Sequence, residues 1–339
     1  MKIEHLRQRL RAHGAKPGHE TLVLRNWTRA LPLDDGRSRP ENFFSLELRR
    51  ALPALAEEWR ALTRLRAEHA GEDGTRLLLE LADGQTVESV LLPRGGLCVS
   101  TQVGCAVGCT FCMTGRDGLL RQLGGAEIVA QVALARRRRA VRKVVFMGMG
   151  EPAHNLDNVL EAIDLLGVLG DIGHKNLVFS TVGDRRVFAR LPQCAVKPAL
   201  ALSLHTTDAE LRARLLPRAP RIDPAELVEL GEAYARETGY PIQYQWTLLE
   251  GVNDTQAEVD ALARLLAGKY AVMNLIPWNA VDGLGFRRPT RARAEAMSLA
   301  LYRRGILTKL RQSAGQDVDG GCGQLRARKL ARQPRPAAG

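Results

Sequence analysis

Leu97–Cys112 reads LCVSTQVGCAVGCTFC. Its first six residues, Leu97–Gln102, read as a strand that opens an alternation of strand and helix patterns. Its last nine hold Cys105, Cys109 and Cys112 at spacings of four and three residues. Three thiolates are one short of the four that a structural zinc or a closed iron–sulfur site needs. A four-iron cluster held by three leaves one iron with an open position, where a substrate or cofactor can bind. Phe111, just before the third cysteine, supplies an apolar wall beside such a cluster.

Downstream, Lys143–Met147, Asn176–Thr181, Ala199–Ser203, Ile242–Leu248 and Val272–Ile276 are expected strands. Amphipathic segments separate them: Glu127–Arg137, Leu156–Leu169, Ala225–Arg236 and Ala257–Ala267. Six strands with intervening helices predict an α/β fold, a parallel barrel that is incomplete, since a full eight-strand barrel typically takes about 250 residues. An open doubly wound sheet is the alternative, but no Gly-rich dinucleotide fingerprint follows the first strand. Upstream, residues 1 to about 70 read as helical, and Leu77–Leu81 and Val87–Leu92 read as a hairpin turning at Ala82–Gln85. The expected organisation is an accessory domain over 1–95, a core barrel over 96–310, and a C-terminal segment over 311–339 with a Gly-rich loop.

The chain has 339 residues, 45% hydrophobic and 25% charged, an ordinary globular composition with no run long enough to span a bilayer. No apolar core marks the first residues as a secretory signal, and six clustered cysteines do not make a disulfide framework. A reducing, cytoplasmic setting without membrane attachment is expected. The net charge of +12 favours a polyanionic partner. Two basic clusters carry part of it: Arg136–Arg139 with Arg142 and Lys143, and Arg326, Arg328, Lys329, Arg332 and Arg335. One cluster alone could equally close a helix or form a solvated tail, but two on a basic chain favour nucleic acid.

A parallel barrel places its site where strands end. At those ends stand the cysteine loop, Met147–Pro152, Ser180–Thr181, Ser203–Leu204–His205 and Pro277–Trp278–Asn279. Gly148 and Gly150 would let backbone approach a ligand closely, and Glu151 could bind an ammonium. Each alone has a plainer reading: a turn with a solvent-facing glutamate, a hydrogen-bonded structural histidine, a turn-forming asparagine. Five in phase with the strands form a site. Cys98, on the first strand, and Cys322, between glycines near the C-terminus, stand outside the triad. The residues alone leave open a core role, a fourth metal ligand, or a thiol carried into the site by a loop. Cys194 reads as structural or incidental.

The segments Cys98–Cys105, Met147–Pro152, Ser203–His205, Gly251–Asp254, Asn274–Asn279 and Cys322–Leu325, in this order, resemble the radical S-adenosylmethionine (SAM) adenine methyltransferases of RNA, the RlmN/Cfr family. The likeness runs from about Glu88 to Leu325. It implies a partial (β/α)6 barrel with a [4Fe–4S] cluster on Cys105, Cys109 and Cys112. SAM, two per turnover, would fall to Gly150, Glu151, Ser180, Ser203, Leu204, His205 and Asn279. It further implies that Cys322 carries the methyl group, that Cys98 resolves the protein–RNA adduct through a transient Cys98–Cys322 disulfide, and that Glu88 accepts a proton. The implied product is an adenosine methylated at C2 or C8 in 23S rRNA, tRNA or both. Implied partners are RNA, an electron donor such as a flavodoxin or ferredoxin system, and a thiol reductant. Ser180–Asp184 departs from the family's commoner Ser-Thr-Ser-Gly, which bears on the target rather than on the cysteine chemistry. Two other classes compete: a radical-SAM enzyme acting on a small molecule or peptide, and a zinc-stabilised RNA-binding protein. Neither needs both Cys98 and Cys322.

Overall fold

The computed structural model describes residues 1–36, 38–71, 74–279 and 283–311. Four helices lead: α1 (Ile3–Arg11), α2 (Pro17–Arg29), α3 (Pro40–Phe43) and α4 (Leu46–Ala61). The longest of them, α4, starts where Ser45 Oγ accepts from Leu48 N at 3.2 Å. It buries Leu48, Leu52, Leu55 and Trp59, one stripe at helical spacing, and Trp59 meets Trp27 of α2 edge-on at 5.3 Å.

Three antiparallel strands follow, β1 (Thr63–Gly71), β2 (Gly74–Leu81) and β3 (Thr86–Leu92). The helical expectation therefore overran by one strand. Thr63–Gly71 is polar and mostly solvent-facing, so its own periodicity is weak, and pairing with β2 decides its state. β4 (Gly96–Cys98) is shorter than the expected strand, because Gln102–Gly104 leaves it to form β5, paired with β6 (Leu119–Gln122) in a separate two-stranded sheet. The rest alternates: α5 (Gly125–Arg136), β7 (Lys143–Phe146), α6 (Leu156–Val168), β8 (Leu177–Thr181), α7 (Arg185–Arg190), β9 (Ala199–Ser203), α8 (Ala209–Leu215), α9 (Pro224–Thr238), β10 (Ile242–Leu248), α10 (Gln256–Leu265), β11 (Ala271–Pro277), α11 (Arg291–Arg303) and β12 (Thr308–Leu310).

One ten-stranded sheet results, in the order β1-β2-β3-β4-β7-β8-β9-β10-β11-β12. Pairing is antiparallel as far as β4 and parallel from β4 to β12. The parallel run is the expected α/β core with one further short strand. Its two faces differ in kind. Leu97, Val144, Phe146, Phe179, Leu200, Leu202, Trp246 and Leu275 point into the main core with the helices. The register puts Cys98, Val145, Val178 and Ala199 in one row on the opposite face. A second row on that face holds Ser203, Gln245 and Asn274. Eight-stranded barrels fill this face with bulky branched side chains. Here the first row packs as a small apolar cluster of Val178, Ala199 and Ala201 with Val145, and the face is hollow only at the strand ends, where Ser203 and Gln245 border a cavity.

Candidate active site

The loops leaving the strand ends enclose a cavity of about 280 Å3, lined from every strand between β7 and β11 and by the segment after β5. Cys105, Cys109 and Cys112 line it together, with Phe111 among them. Three hydrogen bonds pin their loop to distant parts of the chain. Thr110 N donates to Leu215 O at 3.0 Å, Arg218 N to Val107 O at 3.3 Å, and Trp278 Nε1 to Phe111 O at 2.9 Å. The cysteines are thus held from the far side of the cavity by α8 and the end of β11.

Burial pushes the Cys105 thiol up to about 12, although backbone donors pull it down. Burial raises Cys109 too, and repulsion from Cys112 and Cys105 adds to it. Buried Cys105 and Cys109, whose thiolates are disfavoured, are matched to a cationic group that binds them as thiolates. Among the described residues, no three His, Cys, Asp or Glu side chains converge as they would on a single metal ion. A cluster of four irons is a larger body than one ion, so its ligands ring a space instead of meeting at a point. The cysteines fit the iron–sulfur group.

Glu151 is buried, and its carboxylate accepts from Ala153 N and Val182 N, both at 3.0 Å. Burial raises its pKa against those donors. Gly148 and Gly150 line the cavity, but the chain's own packing also demands them. A Cβ on Gly148 would come within 2.7 Å of Val99 O; on Gly150, at φ +103°, within 2.5 Å of Gln102 Cβ. Ser180 and Ser203 line the cavity from β8 and β9, and Asn279 from beyond β11. His205 takes a left-handed backbone (φ +65°), its Nδ1 accepting from Thr247 N at 3.0 Å and its carbonyl from Asn253 Nδ2 at 2.7 Å. Burial first, and then the nearby charge of Arg212, lower His205 to about 3, so its ring is neutral and Nε2 carries the proton. Phe111 packs edge-on against it at 5.0 Å.

Three of the expected residues are not brought to this cavity. The Leu204 side chain points into the core behind it, and only its backbone bonds near the site, donating to Gln245 O at 3.0 Å. A residue next to an inward-facing one on a strand end must face outward. Cys98 and Glu88 are buried and do not line it. They share the face opposite the main core, since Cys98 opposes Val90 on β3 and Glu88 lies two residues from Val90. Arg76 Nη1 pairs with Glu88 at 3.1 Å. Cys322 and the second basic cluster lie outside the described residues.

Sequence reading missed Gln245 and Thr247, which line the cavity from β10, the one strand whose end carried no motif. A signal existed: Gln243, Gln245 and Thr247 alternate with Tyr244, Trp246 and Leu248 on a central strand. Arg212 was also missed. It is 4% exposed and donates from Nη2 to the carbonyls of Val182 and Ser203, fastening two strand ends together. Burial lowers it to about 10, against the pull of Cys109 and Glu151. The first basic cluster is largely spent on structure. Arg136 donates to Thr28 O at 2.8 Å, Arg138 pairs with Glu68, and Arg139 holds the carbonyls of Leu92 and Gly96.

Residues 99–266 match the radical SAM superfamily. Proteins named probable RNA methyltransferase are close relatives along nearly the whole chain. That of Aromatoleum aromaticum is 77% identical over 98% of this chain and 94% of its own length. That of Thiobacillus denitrificans is 72% identical over 100% and 95%. A radical SAM methyltransferase from Sphaerobacter thermophilus superposes with a TM-score of 0.82 at 32% identity, covering 96% of this chain and 97% of that one. The superfamily implies a [4Fe–4S] cluster and SAM. Among the described residues no helix is long and apolar enough to cross a membrane. A parallel sheet with a cavity and three thiols at its strand ends, and relatives alike from end to end, make this chain a radical SAM enzyme of the RNA methyltransferase family.

Proposed function

We propose that the chain methylates an adenosine of RNA at C2 or C8, in 23S rRNA, tRNA or both, with Cys322 as methyl carrier and Cys98 as resolving thiol. The observation that carries this reading is the division of the face opposite the main core. Its strand-end cavity is lined by the cysteine triad, whereas Cys98 and Glu88 are buried on the same face outside that lining, which would keep them apart from cluster and SAM. Cluster and SAM, when bound, supply the methyl group and the reducing chemistry. Cys105, Cys109 and Cys112 would hold the first. Glu151, Ser180, Ser203, His205 and Asn279, with the backbone of Gly150 and Leu204, would hold the second. Neutral His205 offers an N–H donor without adding positive charge beside Arg212. Glu88 would take the proton leaving the adenine carbon. Cys98 as thiolate would then attack Cys322 sulfur, freeing the methylated base and leaving a disulfide that a thiol reductant reopens.

Two variants separate the roles. Cys322→Ala should abolish methylation with an intact cluster, whereas Cys98→Ala should retain RNA covalently on the protein. Mass spectrometry of rRNA and tRNA from cells with and without the chain identifies the product. Identical methyladenosine profiles in both pools, or a Cys98→Ala protein that never carries RNA, would refute the reading.

A further inference from the structure

The cysteine loop leaves β5 at Cys105 and returns at β6, and Cys105 N closes it by donating to Gly118 O at 2.9 Å. β5 and β6 are the stem of that loop, with Gln102 directly opposite Gln122. The two side chains form one directed run of amides. Glu151 N donates to Gln102 Oε1 at 2.7 Å, Gln102 Nε2 to Gln122 Oε1 at 2.8 Å, and Gln122 Nε2 to His154 O at 2.8 Å. A backbone donor at one end and a backbone acceptor at the other decide which way each amide faces. Residues beside them hold the same turn again: Asn155 Nδ2 donates to Thr101 O at 2.8 Å and to Leu123 O at 2.7 Å. Both strands of the stem thus grip Glu151 and the short turn Pro152–Asn155 that follows it.

Gln102 is wholly buried, and a Cβ on Gly150 would collide with its Cβ and Cγ, so the side chain lies directly against the Glu151 loop. Ala153 N and Val182 N hold the two carboxylate oxygens of Glu151, one apiece. A carboxylate accepts about four hydrogen bonds, so this one can still take a donor from the cavity it lines. A ligand that brings an ammonium to Glu151 and also completes an open iron must span two points. One belongs to the cysteine loop and the other to the Glu151 turn. We propose that Gln102 and Gln122 are positioning residues that hold Glu151 at a set distance from the cysteine loop, so that one SAM molecule reaches both. This rests on the reading of Glu151 as the group that meets the ammonium of SAM.

The test is ligand binding by the cluster-loaded, full-length protein. The probes are SAM and the same sulfonium compound without its α-amino group. Wild-type protein should bind SAM the more tightly, because only SAM brings an ammonium to the carboxylate. Gln102→Met keeps the length of the side chain and removes both amide bonds. It should weaken SAM about tenfold and leave the deaminated compound nearly unchanged, so that the preference shrinks by the same factor. Gln122→Met, at the half-buried end of the run, should shrink it about threefold. Iron content and visible absorbance report that each variant is folded and loaded. Should Gln102→Met fail to load, the preference of Gln122→Met decides. Equal weakening of both compounds, or an unchanged preference, overturns the proposal, because the amides would then brace the fold without placing the carboxylate. Wild-type protein that binds the two compounds equally removes the ammonium role of Glu151 itself, and the positioning role with it.

Discussion

His205 shows how much chemistry one position can carry without titrating in the working range. In the unfolded chain its imidazole takes a proton near pH 6.5, while in the folded chain it stays neutral until about pH 3. The unfolded state therefore binds the extra proton between those values, so this residue's contribution to stability is complete above about pH 6.5 and shrinks as pH falls. His205→Gln should flatten the fall in unfolding free energy between pH 6 and 4 by up to about 1.4 kcal/mol per pH unit. Denaturant titrations across that range are the measurement, and parallel curves for the two proteins would contradict the burial argument. Trp278 is the second position of this kind. Its ring is buried and its Nε1 holds the carbonyl of Phe111 between Cys109 and Cys112. Trp278→Phe should cost about 1 kcal/mol for the lost hydrogen bond. It should also loosen the cysteine loop, read as a lower iron content per chain at unchanged secondary structure.

Among the elements, the six expected strands were legible because their outward faces are unbroken apolar sets, as in Leu177–Phe179 and Leu200–Leu202. β1 was not legible, since an exposed edge strand has no buried face to impose a period of two. β12 is three residues long and exists by pairing with β11. The arginine run after α5 is legible as charge but not as purpose. Arg139 lies where β3 turns into β4 and ties the carbonyls on both sides of that turn. Arg139→Ala should therefore lower stability by about 1–3 kcal/mol with little change in the salt slope of RNA binding. If Arg139→Ala weakens RNA binding at unchanged stability, the structural role assigned to the run is wrong.

For the molecule as a whole, β3 bonds directly to β4, and one core cluster extends from Ile3 through Trp59 and Trp246 to Ile306. Unfolding should then be a single event, with fluorescence from Trp27 and Trp59 changing at the same denaturant concentration as circular dichroism from the barrel. An earlier transition confined to the N-terminal helices would show two cooperative units. The sequence by itself determined the three cysteines that line the cavity together, the alternation of strand and helix, and the phase that brings five segments to strand ends. These follow from short-range rules: cysteine spacing within one loop, and which residues alternate along one strand. Only the tertiary structure decided that Leu204 turns away, that Arg212 fastens two strand ends, and that Cys98 and Glu88 share a face outside the cavity lining. Those depend on register between paired strands and on contacts between the loops that leave them, and a shift of one residue would reverse every face.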